Sequence, residues 1–251
     1  MARHDGKLTA AAIGAAVVLA AVVAGAQVKD TVPASGGPIT VIPINHATVE
    51  FQHAGKTILV DPTPQGHYTG LPDADLILIT DIHGDHMDPA TVAMLKRAGT
   101  TLVVPQAVAD KVPGTVLKNG EKKTLAGVEI EAVPMYNLQR GPAAGQLFHD
   151  KGRGNGYVLT LGGTRVYLAG DTECTPEMKA LKNIDVAFVP MNLPYTMTPS
   201  EAAACVKAFA PKVVYPYHYR GQNLQEFSDA LKGTPGVEVR VRDWYAPPAA
   251  K

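Results

Sequence analysis

The chain has 251 residues, with 23 basic and 23 acidic side chains, a formal net charge of zero and 46% hydrophobic residues. That much apolar material supports one sizeable core and excludes a disordered chain, while the even charge balance gives no electrostatic footprint for nucleic acid. The only two cysteines, Cys174 and Cys205, have no C-x-x-C spacing, which sets thiolate zinc chemistry aside and leaves either one disulfide or two buried thiols.

Residues 1–26 combine a short basic start, an Ala-rich apolar stretch and "AGA" before Gln27, the pattern of a secretory signal peptide. The competing reading is an uncleaved membrane anchor, because the stretch approaches the roughly 20 residues that span a bilayer. The expectation is an exported protein, periplasmic or secreted, that meets a membrane only through this segment. Residues 27–38, rich in Gly and Pro, are expected to be a flexible leader, residues 39–246 a single domain, and residues 247–251 a disordered tail.

The domain opens with the short β-branched runs "ITVIPI", "ATVEFQH" and "KTILVDP", the last two joined by "AG" as in a hairpin. After the buried-strand run "LILIT", Pro89 opens a helix over residues 89–99, with Asp88 as its N-cap and Gly99 closing it. Strands follow at "TLVVP", "VEIEAVP", "YVLTL" and "RVYLAG". The remaining chain alternates helix and strand: "TPEMKALK", "VAFVP", "TPSEAAACVKAF", "KVVYP", "LQEFSDALK" and "VEVRV". Two β-rich halves, the second with interleaved helices, suggest two sheets packed face to face with helices outside.

Metal-philic groups concentrate at "DIHGDHMD", residues 81–88, directly after "LILIT". One such cluster at a strand end is more often a turn or a cap. Three further polar residues sit beside apolar strands: His149 in "LFHDKGRGNGY", Asp171 in "RVYLAGDTE" and His218 in "KVVYPYHYRG". Strand ends from distant parts of a chain can converge on one cleft, and imidazole with carboxylate is the usual donor set for zinc, manganese, iron or nickel when thiolates are absent.

The succession "DIHGDH", His149, "AGDT" and "YPYHY" resembles the metallo-β-lactamase superfamily. It is similar to the branch of metal-dependent hydrolases that includes L-ascorbate-6-phosphate lactonase and N-acyl-phosphatidylethanolamine-hydrolysing phospholipase D. The resemblance implies an α/β fold, a four-layer αββα sandwich, with a metal site at its rim. It implies His83 and His149 at a first metal position, Asp85, His86 and His218 at a second, and Asp171 bridging them. Asp81 stands where the superfamily has its first histidine, so the first position either takes a carboxylate ligand or is weak, leaving a mononuclear centre. His46 either ligates metal or hydrogen-bonds Asp81.

The implied activity is hydrolysis of an ester, lactone, amide or phosphodiester in a small-molecule substrate by a metal-bound hydroxide. One or two divalent ions would serve, zinc first, with manganese, iron or nickel as alternatives. Asp85 and Asp171 are the expected catalytic carboxylates, with Tyr195, Asn192 and Asn137 as substrate or oxyanion contacts or plain loop hydrogen-bonders. Arg140, Lys151 and Arg153 either meet an anionic substrate or are solvated loop charges. The alternatives in function are a catalytically impaired metal- or ligand-binding protein of the same fold and an iron-dependent oxidoreductase.

Overall fold

A computed structural model describes residues 29–245; the signal-peptide and tail expectations fall outside the described residues. The first sheet contains β1 (Asp30–Val32), β2 (Ile39–Asn45), β3 (Thr48–His53), β4 (Lys56–Val60), β5 (Leu76–Leu78), β6 (Thr101–Val104) and β7 (Thr115–Val116), neighbours in that order. The second contains β8 (Lys122–Leu125), β9 (Val128–Met135), β10 (Gly154–Leu161), β11 (Thr164–Leu168), β12 (Val186–Pro190), β13 (Val213–Tyr217) and β14 (Glu238–Val239), again in chain order. Each sheet is mixed: hairpins run antiparallel, whereas β4 to β7 and β11 to β14 pair in parallel through crossovers.

The crossovers carry α1 (Pro89–Leu95), α2 (Gln106–Ala109), α3 (Pro176–Ala180), α4 (Pro199–Phe209) and α5 (Leu224–Leu231). Three separate apolar clusters mark the interfaces of the expected four layers. Period-two alternation feeds them: Leu76 and Leu78 face the core between the sheets while Ile77 faces the α1 side, and Val213, Tyr215 and Tyr217 face that core while Val214 packs toward α4 and α5. A strand buried on both faces reads as an unbroken apolar run, which is why "LIL" and "VVY" were legible as core strands. Among the described residues no helix is long and apolar enough to cross a membrane.

The expected flexible leader is corrected at Asp30–Val32, which pairs antiparallel with β2. Val32 enters the core, and Asp30 accepts hydrogen bonds from Tyr215 and Arg242, so this polar segment is held by both apolar burial and charge. The 89–99 helix is shorter than expected. Asp88 caps it by accepting from Thr91 N at 2.7 Å, but the chain turns extended at Lys96, and Gly99 plays no part in the stop. Of the two alternatives for Cys174 and Cys205, the structure contains the disulfide, which ties the segment after β11 to α4. Short, weakly patterned α2, β7 and β8 had no sequence signal.

Candidate metal centre

The site lies where strands of both sheets end. Asp81 follows β5 by three residues, Asp171 follows β11, His218 follows β13, His46 sits in the β2–β3 turn, and His149 precedes β10. His46, Asp61 and His218 all have positive φ, of 50°, 47° and 48°. A side chain in that region costs roughly 1–2 kcal/mol and persists only where surrounding contacts hold it. Here the contacts are His46 N donating to Trp244 O, His218 N donating to His46 O, and Asp61 N donating to Leu78 O.

The residues expected to share a site do converge. Three trios each place donor atoms within 4.8 Å of one another: Asp81, His83 and His149; His86, Asp171 and His218; and His46, Asp85 and His218. Asp171 lies between the first two. Its Oδ2 is 3.3 Å from Nε2 of both His149 and His86, and its Oδ1 is 3.1 Å from His218 Nε2. Asp85 Oδ2 is 3.5 Å from His218 Nε2 and 3.2 Å from His46 Nε2. His46 therefore reaches Asp85, not Asp81, and its Nδ1 meets the Tyr245 hydroxyl at 2.5 Å.

Hydrogen bonds behind the histidines fix which nitrogen points inward. His86 Nδ1 lies 2.8 Å from Asp61 Oδ2, a fully buried carboxylate that also accepts from Thr80 N at 2.7 Å and Thr80 Oγ1 at 2.5 Å. His149 Nδ1 lies 2.7 Å from Asn137 Oδ1. With Nδ1 held from behind, each Nε2 points toward Asp171, the arrangement by which a carboxylate or amide orients a metal-ligating imidazole. Two further facts suit a cation here: Asp81 Oδ1 and Asp171 Oδ1 are buried without a hydrogen-bond donor, and Nε2 of His86 and His218 face each other at 3.1 Å. Neutral nitrogens and carboxylate oxygens in this number fit one or two divalent ions.

The electrostatics agree. Burial by itself would raise the Asp171 carboxyl, but His218 and His86 hold it well below the usual carboxylate range. Burial would likewise raise Asp81, yet the His83 hydrogen bond and the charges of His86, His83 and Arg153 bring it to about 2. His86 is raised well above an ordinary histidine because Asp171 and Asp61 outweigh the desolvation that disfavours its charge. Desolvation lowers His46 to about 4, against the pull of Asp85. The Asp81 and Asp171 carboxylates are thus held ionised by the positive charge around them.

Several expected substrate contacts have other partners. Asn137 is buried, and besides holding His149 its Nδ2 donates to Tyr195 O at 2.8 Å, so both ends of the amide are used in positioning and the loop hydrogen-bonding alternative describes it. Asn192 is buried too, and its main chain closes the turn that contains Tyr195 and Thr196. The Tyr195 ring is 43% exposed and packs edge-on against Phe148, free to meet a ligand. Arg140 is taken by Glu173 and Glu201, and Lys151 by Glu177. His53 packs beneath Gly162, away from the site, while His67 is exposed.

Sequence reasoning passed over Asp61, Tyr245 and the contact of Arg153 with Asp81. Asp61 had a usable signal, since it ends the apolar run "KTILV" as the other site residues end theirs. Tyr245 had none.

Glu173, two residues past Asp171, supports this region by accepting from the main-chain N–H of Leu138, Gln139 and Arg140 at 2.5, 2.8 and 3.2 Å as well as from the Arg140 side chain. Glu173→Ala should cost about 3 kcal/mol, since it strands three main-chain N–H groups and leaves the Arg140 guanidinium with Glu201 alone. Burial raises this carboxyl, but the donors from Gln139, Arg140 and Leu138 bring it below its ordinary 4.5. Its contribution is therefore present above pH 4.5 and lost as pH falls through the lower folded value. Denaturant melts of wild type and variant at pH 7 and pH 3 check this: a gap that fails to narrow at low pH would contradict it.

Two mixed sheets faced by helices, with histidines and aspartates gathered at one rim, make up the metallo-β-lactamase architecture. Residues 40–218 match the family described as "Beta-lactamase superfamily domain". A UPF0173 metal-dependent hydrolase of Methanopyrus kandleri is 33% identical over 217 residues, 79% of this chain and 93% of that protein. One from Thermococcus onnurineus is 34% identical over 191 residues, 70% of this chain and 82% of that protein. Among solved structures, a protein described as a metal-dependent hydrolase from Parabacteroides distasonis superposes with a TM-score of 0.81 at 42% identity, covering 86% of this chain and 99% of that one. The metallo hydrolase Igni18 of Ignicoccus hospitalis, at 24% identity and a TM-score of 0.68 over 84% of this chain and 96% of that one, shares the fold. The chain belongs to the β-lactamase superfamily domain family and is a metal-dependent hydrolase.

Proposed function

We propose that this hydrolase works with two divalent ions, zinc first among them, held on either side of Asp171, and opens an ester, lactone, amide or phosphodiester bond in a small molecule. The single observation that carries the reading is the placement of Asp171, whose carboxylate reaches His149 of one donor group at 3.3 Å and His86 and His218 of the other at 3.3 and 3.1 Å. Asp81, His83 and His149 would hold one ion, and Asp85, His86 and His218 the other. When bound, such ions make water acidic enough to attack near neutral pH and draw charge from a carbonyl or phosphoryl oxygen.

The chain's own groups do the rest. Asp85, with its side chain 40% exposed at the mouth, is placed to orient the attacking water, and His46 steadies that carboxylate through Nε2. Tyr195 offers an exposed hydroxyl to the substrate. We place the protein in an exported, oxidising compartment: the disulfide agrees with the leader pattern of residues 1–26, because such bonds persist outside the reducing cytosol.

Elemental analysis of the purified protein should find about two divalent ions per chain, and a value near one would leave a one-ion hydrolase. Chelation should abolish turnover of a panel of esters, lactones, amides and phosphodiesters, and added zinc should restore it. A chain that binds less than about one ion, or turnover indifferent to chelation, would overturn the proposal.

A further inference from the structure

Asp81 puts a negative charge, in a fully buried position, where the family resemblance has a neutral imidazole. Its Oδ2 is occupied: His83 Nδ1 lies 2.7 Å away, and both His83 N and Arg153 Nη2 lie 3.4 Å away. Its Oδ1 has no hydrogen-bond donor. Of the described Lys and Arg side chains, Arg153 is the one within ion-pair distance of Asp81, Asp85 or Asp171.

The main chain builds this contact. Gly154 packs so closely on the segment between β5 and Asp81 that a Cβ there would come within 2.9 Å of Thr80 O and run into Met135. Asn155 N donates to the same Thr80 carbonyl at 2.9 Å, and Gly152 takes a φ of 89° that other residues rarely adopt. The "GRGNG" loop is thereby registered on the residue before Asp81, and Arg153 is delivered beside it, with its Nε buried.

We propose that Asp81 and Arg153 act as one unit, a carboxylate neutralised by a guanidinium, that replaces a neutral imidazole at the first metal position. Oδ1 serves as the ligand atom while Arg153 compensates the charge through Oδ2, so the site keeps the net charge of a three-histidine position with an oxygen donor in it. Arg153 is a positioning residue here, and the inference rests on the two-ion reading above.

The test is ion affinity, independent of turnover. Zn²⁺ and Mn²⁺ dissociation constants are measured by competition with a chromogenic chelator, and His83→Ala, altering a half-exposed side chain, identifies the binding step that belongs to the first position. A unit charge about 6 Å from a dication changes its binding about tenfold even at the dielectric of water. Arg153→Gln should therefore bind that ion about tenfold tighter or more, Asp81→His about tenfold weaker, and Asp81→His with Arg153→Gln within about threefold of wild type. Arg153→Lys, which keeps the charge, should also stay within about threefold and serves if Arg153→Gln fails to fold.

Unchanged or weaker binding in Arg153→Gln, or a double variant no better than Asp81→His, would overturn the unit. A wild-type chain with ion binding but no step removed by His83→Ala would sink this inference and leave a one-ion hydrolase standing. A wild-type chain with no ion binding would sink the proposed function itself.

Discussion

Asp171→Ala is expected to lower turnover at least about a thousandfold, roughly 4 kcal/mol of transition-state stabilisation, and to remove about one ion per chain. Among the described residues no other carboxylate lies within ion-pair distance of three site histidines, and its partners sit in different loops, so no neighbour can replace it. Its removal also leaves the buried His86, His149 and His218 crowded without their shared counter-charge. Two measurements separate these consequences: metal content by elemental analysis, and turnover at saturating zinc. Wild-type metal content together with turnover within tenfold of wild type would show that Asp171 does not bridge.

Asp61→Ala should be nearly as damaging although Asp61 is two bonds of contact from the reaction. The change strands Thr80 N in a dry interior and leaves Thr80 Oγ1 and His86 Nδ1 with only each other at 2.9 Å, which should cost about 2 kcal/mol of stability. It also frees the His86 ring to rotate or to protonate the wrong nitrogen, a loss that typically lowers metal affinity or activity 10–100-fold. Burial raises the Asp61 carboxyl above the ordinary carboxylate range, and the bonds to His86 and Thr80 offset only part of that rise. Asp61→Asn keeps an acceptor for Thr80 and should be the milder variant. Calorimetric melting of the metal-free chain and chelator competition would decide it, and metal affinity within twofold of wild type in Asp61→Ala would dismiss the orienting role.

The histidines and aspartates of the centre were legible because each stands at the end of an apolar run, and strand ends in packed sheets share an edge. Their order along the chain resembled a known ligand succession, which assigned His149 despite its loop. What lay behind them was less accessible. Asp61 had the same strand-end signature but reads equally as the start of a turn at "DPTP". Tyr245 reaches His46 from 199 residues away, a separation no local pattern encodes. In the sequence Asn137 could be a substrate contact or a loop hydrogen-bonder, and Arg140 a substrate contact or a solvated charge, because a polar loop residue carries no local sign of its partner. Only the packing revealed that Asn137 spends its amide on His149 and Tyr195, and Arg140 its guanidinium on two glutamates.

By itself the sequence determined the elements and the donor atoms, since alternation, caps and strand-end polar residues are properties of a few consecutive residues. The tertiary structure decided which donors meet. Asp81 drew its partner from a loop 72 residues away, because the glycines around Arg153 let that loop lie against the strand that delivers Asp81. The same packing turned two cysteines into a bridge and a polar leader into a strand, for pairings across a sandwich are fixed by how two sheets seat on one core.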